Sequence, residues 1–142
     1  MNIKRFILAG LGGTVTMFVV GGLQGFLLEI PTLTRYPQLS GVDMSNPLKM
    51  LGLVAADVLG PFLFALVYAL VSEQIPGQTR WQKGVSLGIG IWAVGTVPWM
   101  FWLYSLTALP LTLIFGVWFL GHLIKITLVC LPIALIYKEI EE

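Results

Sequence analysis

Asp57, His122 and Lys125 are ionisable side chains set inside stretches that otherwise read as lipid-soluble helix. A charged Asp or Lys near the centre of a membrane helix costs insertion roughly 2.5–3.5 kcal/mol. Such residues face other helices, pair with one another, or line a path for an ion or solute. Imidazole titrates near neutral pH, so the chemistry that fits this set best is a proton relay. His122 and Lys125 are i,i+3 neighbours on one helix face, with Trp118 one turn away, and Asp57, Pro61, Phe64 and Tyr68 share a face on another helix. The expected constellation is an Asp57–Lys125 ion pair with His122 as a hydrogen-bond partner. Two structural readings compete with it. A buried ion pair can simply fix helix register without stabilising the fold, and Lys125 can snorkel toward an interface.

The elements that must hold these residues follow from hydropathy. Hydrophobic residues make up 57% of the 142, above the roughly 45–50% of soluble domains. Mean hydropathy is +0.90. A bilayer-spanning helix needs about 20 mostly apolar residues, and four segments qualify, at about 6–28, 48–72, 84–104 and 110–137. Glu29-Ile30-Pro31 is expected to stop the first, and Asn46-Pro47 makes a good start for the second. Lys4 and Arg5 resemble the basic head of a signal peptide. The apolar stretch after them exceeds an h-region of about 7–15 residues, so a retained span is expected. The fold class is therefore all-α, an integral membrane four-helix bundle in one transmembrane domain.

Lys and Arg in the short loops set the orientation. With the N-terminus inside, the cytoplasmic side holds Lys4, Arg5, Arg80, Lys83 and Lys138, against Arg35 and Lys49 outside. Both termini are thus expected in the cytoplasm, and the location is a cell inner membrane. Trp99, Trp102 and Tyr104 at one end of the third span and Trp81 at the other form the aromatic belts. On those helix ends Asp57 and His122 come out level, each about 22 Å from the cytoplasmic edge. The loop from Glu29 to Pro47 reads as a solvated connector, with a cap over the outer mouth of the bundle as the alternative.

Helices associate in lipid by close approach and interhelical hydrogen bonds. Ala9, Gly13, Gly21 and Gly25 fall on one i,i+4 stripe interrupted by Met17, with Thr14, Thr16 and Gln24 as polar glue. Gly84 and Gly88 repeat the theme on the third span. Spans one and three are expected to pack tightly as scaffold, and spans two and four to carry the site. Pro61, Pro98 and Pro132 are expected to kink their helices. Ala65-Leu66-Val67-Tyr68 is echoed by Ala134-Leu135-Ile136-Tyr137, a faint parallel repeat or a coincidence of common residues.

Other chemistry has no footing in the sequence. The net charge of +1 leaves no basic surface for nucleic acid. Cys130, the sole cysteine, allows no intramolecular disulfide, and its apolar neighbours argue against a reactive thiol. No Walker loop, His-Glu-x-x-His or Gly-x-Ser-x-Gly motif occurs. One histidine cannot form a bis-histidine haem site; a single axial bond to haem or chlorophyll is all that His122 could offer. No metal, no cofactor and no enzymatic activity are expected. The expected function is proton-linked transport or permeation by an oligomer, because four spans rarely enclose a path alone. The alternative is a non-catalytic accessory or assembly subunit of a larger membrane complex. The partners in either case are the lipid bilayer and other membrane helices.

Overall fold

The computed structural model describes residues 2–35, 47–106 and 109–137. The central part of the connector (36–46) and the charged tail with Lys138 (138–142) lie outside the described residues. The described residues form helices and turns without a strand: α1 (Ile3–Gln24), α2 (Ile30–Arg35), α3 (Pro47–Val71), α4 (Arg80–Ile91), α5 (Val97–Leu106) and α6 (Leu120–Ile136). Three π-helical segments, Gly25–Glu29, Trp92–Thr96 and Thr112–Phe119, join or precede them. Four continuous helices are long and apolar enough to cross a membrane: Ile3–Thr32, Met50–Val71, Arg80–Ser105 and Thr112–Ile136.

The fourth span is the hub. α1 and α4 each pack along α6, while α3 packs chiefly on α1 and touches α6 more lightly. Spans one and three are each tightly packed, but their shared partner is span four. The glycines explain why. A Cβ on Gly88 would stand 2.5 Å from Thr127 Cα, and one on Gly84 would stand 3.1 Å from the Cys130 carbonyl oxygen. On α1, a Cβ on Gly13 would meet Ile133 at 2.9 Å and Pro61 at 3.0 Å. Such backbone approach is the main source of dispersion energy between helices surrounded by lipid-like side chains. The resulting core holds Ala9, Ala65, Val129, Cys130, Ile133 and Ala134, each with no exposure. The threonines on α1 do not act as glue between helices. Thr14 donates to the Gly10 carbonyl at 2.9 Å and Thr16 to the Gly12 carbonyl at 3.0 Å, so both hydroxyls are satisfied within their own helix.

The first helix runs through Glu29-Ile30-Pro31, where the sequence suggests a stop. A proline lacks the N–H of an α-helical turn, and its ring collides with the carbonyl four residues back. Here the turn before Pro31 widens to π geometry: the Ile30 N–H bonds to the Gly25 carbonyl, an i→i+5 step. The same device precedes Pro98, where the Val97 N–H bonds to the Trp92 carbonyl. Both π segments end two residues before their proline. The backbone thus absorbs each proline without breaking the span. Pro61 and Pro132 lie inside regular α3 and α6.

The turn between α3 and α4 is built for its position. Thr79 caps α4 with a capping box: its hydroxyl accepts from the Gln82 N–H while the Gln82 side chain accepts from the Thr79 N–H. Gly77 has φ +141°, and a Cβ there would lie 2.8 Å from the Lys83 nitrogen. Gly77→Ala should therefore destabilise this hairpin by about 1–3 kcal/mol. A thermal melt in detergent checks it; an unchanged midpoint would mean that the turn relaxes freely.

Candidate functional site

One line of polar groups runs along the seam between α1 and the fourth span; the buried Ser72 and Thr96 lie elsewhere, at the end of the second span and on the third. Gln24 is 8% exposed and donates through Nε2 to the Glu29 carboxylate at 3.0 Å. In a regular α-helix residues five apart point to different faces; the π segment between these two brings them together. Across the seam Gln24 lies on Gly121, where a Cβ would meet its Nε2 at 3.0 Å. Gly121 is thus the space that admits the amide. The other amide atom, Gln24 Oε1, is buried with no donor to satisfy it. An orphaned acceptor of this kind costs about 1–3 kcal/mol.

His122 follows Gly121 and is half-buried. Its Nδ1 lies 2.7 Å from the Trp118 carbonyl oxygen. A carbonyl only accepts, so Nδ1 carries the proton, and Nε2 is left with a lone pair in the neutral ring. The charges of Lys125 and Glu29 both act on this imidazole. Lys125 runs its stem beside Gly21 of α1, where a Cβ would stand 3.9 Å from its Cδ. The seam therefore carries, in order of depth, Glu29, Gln24 with His122, and Lys125.

Asp57 is not drawn into that group. It is half-buried on the stripe of α3 that continues through the buried Pro61, Ala65 and Tyr68. No ion pair joins it to Lys125 or His122 among the described residues. The helix register is the reason. Gly13 touches Ile133 and Pro61 at one level. Four residues along α3 place Asp57 about 6 Å beyond that level, while eleven along α6 place His122 about 16 Å beyond it. Equal depth was expected from matching Tyr137 with Ser72, but Tyr137 instead packs edge-on against Tyr68, with centroids 5.9 Å apart. By that register Asp57 lies roughly 6 Å below the level of Lys125, on a different helix.

Of the glycines expected at helix contacts, Gly13, Gly84 and Gly88 are closely packed and Gly21 lies against Lys125, but Gly25 faces open space. Gly25 opens the π segment, so the stripe rotates away from α6 there. Gln24 and Glu29 are the site residues that sequence reasoning undervalued, one as helix glue and the other as a helix stop. Their available signal was the i,i+5 spacing immediately before Pro31. The echo between Ala65–Tyr68 and Ala134–Tyr137 has a packing role. Both alanines are fully buried and the two tyrosines make the ring contact that sets the register.

The polar line has dry surroundings. The 230 Å³ recess beside Gln24 is walled by apolar residues such as Val20, Leu23, Leu27 and Ile124. Among the described residues no three His, Cys, Asp or Glu side chains gather as a metal site would require. No protein-family model, curated protein or solved structure matches this chain. The functional reading therefore rests on the residues themselves.

Proposed function

We propose that the chain is a proton-linked transport or permeation protein of a cell inner membrane, working as an oligomer. The carrying observation is the order of titratable and hydrogen-bonding groups down the seam between α1 and span four, Glu29, then Gln24 with His122, then Lys125; Asp57 stands lower, on α3 and outside that seam. His122 with an open Nε2 can accept and release a proton at neutral pH. The flanking carboxylate and amine would bias that exchange electrostatically. Beyond Asp57, the fully buried Ala9, Ala65, Val129 and Ile133 close the centre of a single copy. A second copy is then needed to complete a path, and Gly22 and Gly25, open to their surroundings beside the polar line, offer a close approach for it. Reconstituted into vesicles with an imposed pH gradient, the protein should dissipate the gradient. Asp57→Asn and Glu29→Gln should each abolish that flux while leaving expression and folding intact. A flux indistinguishable from empty vesicles with well-folded protein would overturn the proposal.

The accessory-subunit reading draws on a different observation. Gly52, Gly60 and Gly116 also meet nothing within 4 Å, so several faces suited to helix docking stand open. Gentle-detergent purification separates the two readings. A defined partner complex without vesicle activity supports the subunit; an active homo-oligomer supports transport.

A further inference from the structure

At the end of the bundle that carries Ile3 and Ile136, a recess of about 100 Å³ is lined by Tyr68, Gln78, Thr79, Arg80, Lys83 and Tyr137. It lies at the N-terminus of α4, where the positive end of the helix dipole adds to the two cations. A separate feature points the same way. Tyr137 is only 7% exposed and lines this recess, and no hydrogen bond of its hydroxyl is found among the described residues. A guanidinium carries five donors and an ammonium three, so Arg80 and Lys83 can each hold a phosphate oxygen alongside another partner.

Next to the recess an apolar groove of about 580 Å³ runs between spans two and three, with Phe64, Val71, Leu87, Gly90 and Val94 among its walls. The two are continuous along single helix faces: Lys83, Leu87 and Val94 lie on one stripe of the third span, and Tyr68 and Phe64 on one of α3. From Lys83 the stripe reaches Val94 in about 16 Å of rise and the groove goes no further than Gly95. That is one leaflet of a hydrocarbon core about 30 Å thick. A docked transmembrane helix would need a groove across both leaflets. One acyl chain needs only one.

We infer that this composite is a binding site for an anionic phospholipid, its phosphate held by Arg80, Lys83 and Tyr137 and one acyl chain laid between spans two and three. Basic pockets at the cytoplasmic ends of membrane helices recognise acidic headgroups in this way. The site stands apart from the polar seam and holds whether or not the chain moves protons.

The test titrates the purified full chain in mild detergent with phosphatidylglycerol or phosphatidylcholine and counts bound lipid by native mass spectrometry. Phosphatidylglycerol should bind more tightly. Lys83→Gln and Arg80→Gln should each weaken it about fivefold, the worth of one cation near a membrane surface. Tyr137→Phe, which removes only the hydroxyl, should weaken it too. Gly90→Leu fills the groove where a side chain meets no atom, so it should lower lipid binding without altering the melt. Equal retention of the two lipids, or binding indifferent to Lys83→Gln and Gly90→Leu in folded protein, would overturn the assignment. Displacement by inorganic phosphate with no effect of Gly90→Leu would overturn it as well, leaving a site for a soluble anion.

Discussion

Gly88→Leu should strongly destabilise the bundle, whereas Gly90→Leu, two residues along the same helix, should leave its melting midpoint essentially unchanged. The contrast isolates helix packing from helix propensity, because both changes put the same side chain on α4. At Gly88 even the first carbon would stand 2.5 Å from Thr127 Cα, with the Thr127 nitrogen and hydroxyl at 3.1 Å. Backbone cannot swing aside as a side-chain tip can, so α4 and α6 must separate. Overpacking a core typically costs 1–3 kcal/mol, and forcing a backbone contact apart should reach or exceed about 3 kcal/mol. Against a total stability of about 5–15 kcal/mol that is a large share. Gly90 meets no atom within 4 Å. Size-exclusion profiles and thermal melts of the two variants in one detergent measure the difference. Equal behaviour would mean that the α4–α6 contact is dispensable.

That contrast also marks what the sequence could reveal. Four apolar helices were legible because the cost of burying peptide groups in lipid leaves long apolar stretches few alternatives to helix. Gly84 and Gly88 were legible as a close-approach face, since no other residue type lets backbones meet. Which helix they meet was not. Small residues state that something comes near and carry no address, and the partner proved to be α6. Depth was misread by a smaller margin: ring packing pairs Tyr137 with Tyr68 instead of Ser72, and the level shared by Gly13, Pro61 and Ile133 leaves Asp57 and His122 about 10 Å apart in depth. The π segments were hidden most completely. Hydropathy does not record which carbonyl a given N–H selects, so Glu29-Ile30-Pro31 looked like an ending. The prolines were in plain view, and two of them, Pro31 and Pro98, are accommodated by a widened turn. In the first case the widening creates the Gln24–Glu29 hydrogen bond, so a backbone adjustment to proline is also what assembles the seam.

His122→Asn should abolish proton flux and keep the fold, which would separate the chemistry of the imidazole from its place in the structure. The Nδ1–H bond to the Trp118 carbonyl is local, four residues back on the same helix. An asparagine amide nitrogen occupies nearly the position of Nδ1 and can donate to the same carbonyl. What it lacks is Nε2, the one ring atom free to take up a proton, and an amide does not titrate near neutral pH. Loss of a positioned acid–base group slows proton transfer by roughly 10²–10⁴-fold. Vesicle flux of His122→Asn should therefore fall to the level of empty vesicles, while its melt stays within about 1 kcal/mol of the parent, the net worth of one retained hydrogen bond. His122→Gln tests the other half: its longer amide can reach the Nε2 position but still cannot titrate, so it too should be silent. Flux that survives in either amide variant would remove His122 from the proton path and leave Glu29 and Asp57 to carry it. Loss of folded protein in both would make the imidazole a packing element of the α1–α6 seam.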